Sequence, residues 1–333
     1  MAKLYLLTYL QRNHSIGQEG FVMSKYLLIF SILLLSGCYQ LAELPPLNGA
    51  LTSNLLVCAK EDVNGPFKTF STLNENFKSF FKSSVFASDG SVLPLQLDYE
   101  TNPNYDTRVD YASLLEDKES PESKALRNSI LGHLKRLDLN SLSKNEQVAN
   151  LINAYNFLAI DIVLQNSCEG LIDSIANLGG VDSFKAFSDS ENFGYFIGEE
   201  KLSLDNIEKE KIAELTNFED ARIHFAVICA SAGCPVLLHL PFDSVNLESQ
   251  LSFITRAGLR LPRMLNNNSG TSFLSKIFEW YIDDFVSDIA RTRNFDTDEE
   301  FIEEFIKRNT SDETEFNRDN IDYVNYDWSL NKL

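Results

Sequence analysis

The chain has 333 residues, 44% of them hydrophobic, with 48 acidic side chains against 29 basic ones and a formal net charge of −19. That length is ample for one large core, or for a core with an extension. A surface this acidic excludes attachment through nucleic-acid phosphates or anionic lipid headgroups.

Taken in chain order, the first signal starts at Met23 and reads MSKYLLIFSILLLSGCYQ. Lys25 is a short basic region, and residues 26–35 form an apolar run too short to span a bilayer but suited to a signal-peptide core. The run ends in Leu35-Ser36-Gly37-Cys38, which resembles a bacterial lipobox, where small residues precede a cysteine that is lipidated on its sulfur. The alternative is an ordinary signal peptide with an incidental cysteine. Residues 1–22 hold Arg12, His14, Gln18 and Glu19, which would interrupt a secretory segment, so Met23 is the better start. Tyr39 and Gln40 follow the cysteine, and neither is the aspartate that retains some lipoproteins at the inner membrane. The expectation is a lipid on Cys38 anchoring a periplasm-facing protein to the outer membrane. Removing residues 1–37 takes away Lys3, Arg12 and Lys25 but only one acid, Glu19, so the mature chain is more acidic still.

Residues 38–60, with a Pro45-Pro46 pair and no helical periodicity, read as the tether. An N-terminal helical extension is expected over 61–144. There Phe67, Phe70, Phe77, Phe80 and Phe81 are spaced for one or two amphipathic helices, residues 93–97 suit a strand, and 110–117 and 122–137 are helical in spacing. The core is expected over 145–290. Ser143 and Glu146 stand at the capping-box interval before a long apolar-periodic run to Gln165, the strongest helix signal in the chain. Residues 195–197 suit a strand, Ser203 caps a helix over LDNIEKEKIAEL, and 223–229 is β-branched and aromatic, as in a buried strand. A helix over 246–260, a strand over 271–274 and a helix over IFEWYIDDFVSDIA follow. In the C-terminal extension, 291–333, a helix is expected over 296–307 and an extended docking segment over 323–330. The sum is a helix-rich α+β fold with a small antiparallel sheet packed by helices.

Four segments carry candidate chemistry. Asn153 and Asn156 share one helix face, where their amides either hold neighbouring backbone or support a developing oxyanion. Glu208, within LSLDNIE at 202–208, faces either solvent or an imidazole. In RIHFAVICASAGCP at 222–235, His224 stands near Cys229 and Cys234 in a chain with only 4 histidines and 5 cysteines. Imidazole and thiol are the pair that nucleophilic thiol chemistry needs. The small residues Ser231-Ala232-Gly233 let the chain turn back, so that Cys234 meets His224 and backbone N–H groups approach a substrate oxygen. A short helix starting at Pro235 would lower the thiol pKa. The competing readings are buried structural cysteines with a core histidine, or a metal held by His224, Cys229 and Cys234, which a strand would splay apart. The last segment is LSKIFEWYIDDF at 274–285, whose aromatics are spaced as core and whose Asp283-Asp284 pair reads as exposed. With Cys38 assigned to lipid, four cysteines remain, and Cys58–Cys168 and Cys229–Cys234 disulfides are both conceivable. The latter would quench a nucleophile at Cys234. No CxxC pair marks a structural zinc.

Together, the Asn153-to-Asn156 segment, LSLDNIE, IHFAVICASAGCP and LSKIFEWYIDDF resemble, in order and spacing, the domain-of-unknown-function family 547 of bacteria and plants. The resemblance covers roughly residues 145–290. It implies a rearranged, permuted papain-like fold and a Glu-His-Cys catalytic group. By motif, Cys234 would be the nucleophile, His224 the base and Glu208 the residue that orients it, with Asn153, Asn156 and Ser231 as substrate or oxyanion support. The chain departs from the family at Lys209, where histidine is frequent, and at Ala232-Gly233, where a larger polar pair is common. The expected function is thiol-dependent hydrolysis or transfer at a peptide or amide bond of a cell-wall peptide or envelope protein, with no metal or organic cofactor. The alternative is a binding module for a peptide or protein partner that keeps the fold without the chemistry.

Overall fold

The computed structural model describes residues 72–94, 97, 104–180, 183–310 and 315–333. The signal region expected over 1–37, Cys38 with its expected lipid, the expected tether, Cys58, Phe67 and Phe70 lie outside these residues, as does part of the strand expected over 93–97.

The first described helix, α1 (Leu73–Ser84), starts at Thr72. The Thr72 hydroxyl accepts from the Glu75 N–H at 3.2 Å, and the Glu75 carboxylate accepts from the Thr72 N–H at 2.9 Å. This reciprocal pairing satisfies two helix-end donors. The helix buries Phe77, Phe80 and Phe81. A two-stranded antiparallel pair, β1 (Val85–Ala87) with β2 (Thr107–Val109), then leads to α2 (Tyr111–Asp117) and α3 (Pro121–Lys135).

The expected central helix is present as α4 (Lys144–Gln165), capped by Ser143 and Glu146. It is long and apolar enough to cross a membrane, yet 89% of its most apolar window is buried inside the protein. Phe157 on α4 meets Phe80 edge-to-face at 4.8 Å, so the N-terminal extension and the middle of the chain share one core. Buried polar groups need partners, and those on α4 have them. Asp161 takes a bidentate contact from Arg127 at 2.6 and 3.0 Å and the Tyr195 hydroxyl at 2.7 Å.

Single helical turns at Lys185–Ser188 and Ser190–Phe193 precede an antiparallel hairpin of β3 (Tyr195–Ile197) and β4 (Glu200–Leu202). The helix expected after Ser203 is present, but its middle, Asn206–Ile212, is π-helical. The strand expected over 223–229 is replaced by a helical turn, α5 (Ile223–Ala226), and the chain is extended only from Val227. Local turn chemistry overrides the β-branched composition here. Asp220 accepts from the Arg222 N–H with its side chain and from the Ile223 N–H with its carbonyl, and Asp288 takes the Ala221 N–H at 3.0 Å.

After α6 (Leu247–Leu259), strands β5 (Leu265–Asn268) and β6 (Thr271–Ser275) pair antiparallel. Their two-residue turn has positive φ at both Ser269 (52°) and Gly270 (79°), the hairpin geometry that matches strand twist. The helix expected over 277–290 is broken at Tyr281 into α7 (Lys276–Trp280) and α8 (Ile282–Ala290). Helix α9 (Asp298–Asn309) follows, and β7 (Ile321–Val324) joins β6 in parallel, making that three-stranded sheet mixed. The fold is helix-rich α+β with small sheets, two of the three purely antiparallel.

Residues beyond β7 run extended past the cysteine loop. Ala232 N–H donates to the Ser329 carbonyl at 2.7 Å, Gly233 N–H to Asp327 at 2.8 Å, and Asn331 N–H to Ala230 at 3.1 Å. A Cβ on Gly233 would lie 2.9 Å from the Asp327 backbone nitrogen, so only glycine permits this approach. Leu333 N–H and Val109 N–H complete the tie to β2 through Val109 O and Asn331 O.

Candidate active site

Glu208, His224, Cys229 and Cys234 line one cleft of about 720 Å³. Glu208 sits on the π-helical segment, a backbone irregularity common at functional sites. It is 7% exposed and points inward, placing Oε1 3.3 Å from His224 Nδ1. This is an ion-pair contact and not a hydrogen bond, for Nδ1 has no hydrogen-bond partner among the described residues. The opposite nitrogen, Nε2, is 2.8 Å from Asp284 Oδ2. The ring stacks on Tyr281 with centroids 3.8 Å apart. The break between α7 and α8 is what presents Tyr281 and Asp284 together to the imidazole.

Burial disfavours the charged ring, but the hydrogen bond to Asp284 and the contact with Glu208 outweigh it, and the His224 pKa is raised above its ordinary 6.5. Burial, assisted by the Glu208 charge, pushes the hydroxyls of Tyr155, Tyr281 and Tyr326 upward, so all three are neutral donors.

Cys234 is 2% exposed and paired with Cys229 in a disulfide, Cα to Cα 6.6 Å. Its sulfur accepts from the Tyr326 hydroxyl at 3.1 Å and from the Cys229 N–H at 3.2 Å, and the same hydroxyl is 3.2 Å from the Cys229 sulfur. Neither nitrogen of His224 is hydrogen-bonded to Cys234 among the described residues. Between the cysteines, Ala230 has φ of +60°, a conformation that non-glycine residues adopt only when their surroundings impose it. Arg263, itself held by Asp106 at 2.7 Å, donates Nε to the Cys234 carbonyl at 2.8 Å. Cys168 is also disulfide-bonded.

The supporting residues act on the backbone. Asn153 donates to Phe242 O and accepts from Phe242 N–H, both at 2.8 Å. Asn156 does the same for Ala226 O and Ile228 N–H, also at 2.8 Å, and so holds the segment between His224 and Cys229. Each amide spends its oxygen and one N–H on backbone, so both act as positioning groups. Ser231 is 1% exposed, and its hydroxyl donates to the Cys229 carbonyl at 3.4 Å. Ala232, Gly233 and Cys234 N–H groups all have carbonyl partners, so none stands free as an oxyanion donor. No helix starts at Pro235, which removes the expected helix-end field on the thiol. Among the described residues no group of three or more His, Cys, Asp and Glu side chains is arranged to hold a metal.

Residues 139–257 match the family profile described as "Protein of unknown function, DUF547". They form a DUF547 domain. No curated protein and no solved structure matches the chain. The match includes Asn153, Asn156, Glu208, His224 and both cysteines of the loop, and it stops before LSKIFEWYIDDF at 274–285.

Six cleft residues therefore reach the DUF547 domain from outside the matched segment, Ile277 and Trp328 among them. Trp280, Tyr281 and Asp284 come from the broken α7–α8 helix, and Tyr326 from the extended C-terminus. By their spacing the aromatics of 278–285 read as core, and Asp283-Asp284 reads as exposed. Asp283 is exposed; Asp284, one residue on, faces the imidazole. The only local cue is the helical spacing of Phe278, Tyr281 and Phe285, which fixes the buried face and puts Asp284 at its margin.

Proposed function

We propose that the protein is a thiol-dependent acyl-transfer enzyme that hydrolyses a peptide or amide bond or transfers its acyl group, and that a lipid on Cys38 holds it at the cell envelope, on the periplasmic side of the outer membrane. The observation that carries this reading is the convergence of Glu208, His224 and Cys234 on one cleft, with the Glu208 carboxylate 3.3 Å from His224 Nδ1. A carboxylate beside that nitrogen stabilises the imidazolium formed when Nε2 takes a thiol proton.

The chemistry belongs to the reduced protein. A dithiol reductant supplies two electrons and two protons, opening the Cys229–Cys234 bridge to two thiols and becoming a disulfide itself. Asp284 then leaves Nε2, which accepts the Cys234 proton. The thiolate attacks the carbonyl carbon, and the neutral Tyr326 hydroxyl, already on the sulfur, donates to the developing negative charge. His224 returns the proton to the leaving amine. Water, or an acceptor amine, releases the thioester and regenerates the thiol.

A second reading is supported by the Cys229–Cys234 pairing and by the carboxylates on both nitrogens of His224. In it the cleft only binds a peptide or envelope protein, and the bridge is structural. Labelling by a peptidyl electrophile after mild reduction separates the two. The enzyme reading expects a single adduct at Cys234, lost or strongly slowed in His224→Ala and Glu208→Ala. Absence of an adduct, or labelling indifferent to both substitutions, rejects it in favour of binding.

A further inference from the structure

The cleft has a charge excess that the triad does not use. Its wall carries four carboxylates, Asp205, Glu208, Asp220 and Asp284, against one lysine, Lys209. Lys209 is committed to Asp205 at 2.9 Å, and Asp220 to Arg222 at 2.8 Å. Glu208 and Asp284 remain, with the single imidazole between them. Even with His224 protonated, the trio keeps one negative charge. Asp284 is the carboxylate at the cleft surface. Its side chain is 31% exposed against 7% for Glu208, its Oδ2 is on His224, and its Oδ1 accepts no hydrogen bond from the described residues.

The same cleft has an aromatic wall. Trp280 and Trp328 stack at 5.8 Å, Tyr326 lies 4.6 Å from Trp328, and Phe184 meets Trp328 edge-on at 4.8 Å. Trp280 is 48% exposed and Phe184 37%, although both are large and apolar. Ring faces that share a cleft with an unneutralised carboxylate suit a group that is cationic at its tip and apolar along its stem: the rings take the methylenes and attract the cation, and the carboxylate takes its N–H donors.

We propose that this cleft recognises a peptide through an alkylammonium group, a lysine-type side chain or a free amino end, seated on Asp284 Oδ1 under the Trp280–Trp328 rim. The proposal rests on the reading of the cleft as a peptide site and adds its substrate class. An anionic or phosphate-bearing ligand is repelled by the same carboxylates. Docking at Asp284 also gives that carboxylate a second cation to share, which draws it from His224 Nε2 and links substrate entry to release of the base.

The chain has only two tryptophans, Trp280 and Trp328, and both line this cleft, so intrinsic tryptophan fluorescence reports its occupancy. The test titrates the purified oxidised protein with a blocked tetrapeptide of alanine and leucine containing one lysine, and with the same peptide carrying norleucine instead. The expected result is a saturable change for the lysine peptide, with affinity about tenfold or more above that for norleucine, as for a hydrogen bond to a charged group. Asp284→Asn is expected to bring the two peptides within about twofold, while Asp283→Asn, on the exposed neighbour, keeps the preference. Equal affinities, no saturable change with either peptide, or a preference that survives Asp284→Asn overturns the proposal. The peptide pair decides on the unaltered protein whatever Asp284→Asn does to folding. No free thiol is involved, so this result is independent of whether Cys234 reacts.

Discussion

Asp284 lies 2.8 Å from His224 Nε2, on the nitrogen that thiol chemistry would need. It reaches the imidazole from α8, outside the DUF547 segment that supplies the histidine and the cysteines. The base is thus closed from one side by Asp284 while the thiol is closed by Cys229. Opening the site requires two separate events, reduction of a bridge and departure of a carboxylate.

The first prediction concerns the His224 proton. Its folded pKa is raised above 6.5, so the stabilisation from the two carboxylates is fully present below about pH 6.5 and is lost as pH rises through the folded value. The imidazole resonances, followed by NMR, should titrate above 6.5 in the wild type. They should move to lower pH in Asp284→Asn and again in Glu208→Gln. A His224 midpoint below 6.5 in the wild type would show that burial wins over the carboxylates.

The second concerns the clamp under the site. Asn156→Ala leaves the Ala226 carbonyl and the Ile228 N–H unpaired in the core, at a cost of about 2–4 kcal/mol by the penalty for buried unsatisfied groups. Urea denaturation should show this loss, and Asn153→Ala should show one of similar size by freeing Phe242. A change under about 0.5 kcal/mol would mean that neither amide bears on the backbone as described.

The third concerns the C-terminal segment. Gly233→Ala forces a Cβ to within 2.9 Å of the Asp327 backbone nitrogen. It should destabilise the protein by about 1–3 kcal/mol, as overpacking does, and expose residues 325–333 to limited proteolysis. Proteolytic resistance equal to wild type would argue against a tight approach there.

Much of this architecture is legible where its causes are local. Ser143 and Glu146 announce α4 because a capping box is a contact within four residues. His224 stands out because the chain has only 4 histidines, and Glu208 through the resemblance of LSLDNIE to the family motif, and the structure brings the two together. The misread strand over 223–229 has a local cause too, the turn built by Asp220, which composition alone does not reveal. The groups on the far side of the cleft are another matter. Asp284 is 60 residues from His224, and Tyr326 is 92 from Cys234. Their roles arise from the break at Tyr281 and from the C-terminal segment crossing the cysteine loop, and neither contact is encoded in a local pattern.

The fourth prediction follows from that crossing. With the bridge reduced, Tyr326→Phe removes a donor from the Cys234 sulfur and should raise the thiol pKa, shifting the pH profile of alkylation to higher pH. A loss of rate at all pH values without a shift would make Tyr326 a packing residue only.

The most direct measurement is the pH dependence of Cys234 alkylation by iodoacetamide in the reduced protein, read by mass spectrometry with Cys229 replaced by serine. If Cys234 works with an imidazole that Glu208 holds, reaction in the wild-type background should begin below the ordinary thiol range. It should move up by about a pH unit or more in His224→Ala and by less in Glu208→Gln. Superimposable profiles in all three proteins would contradict the account, leaving Cys234 a structural cysteine beside an unrelated ion-paired histidine.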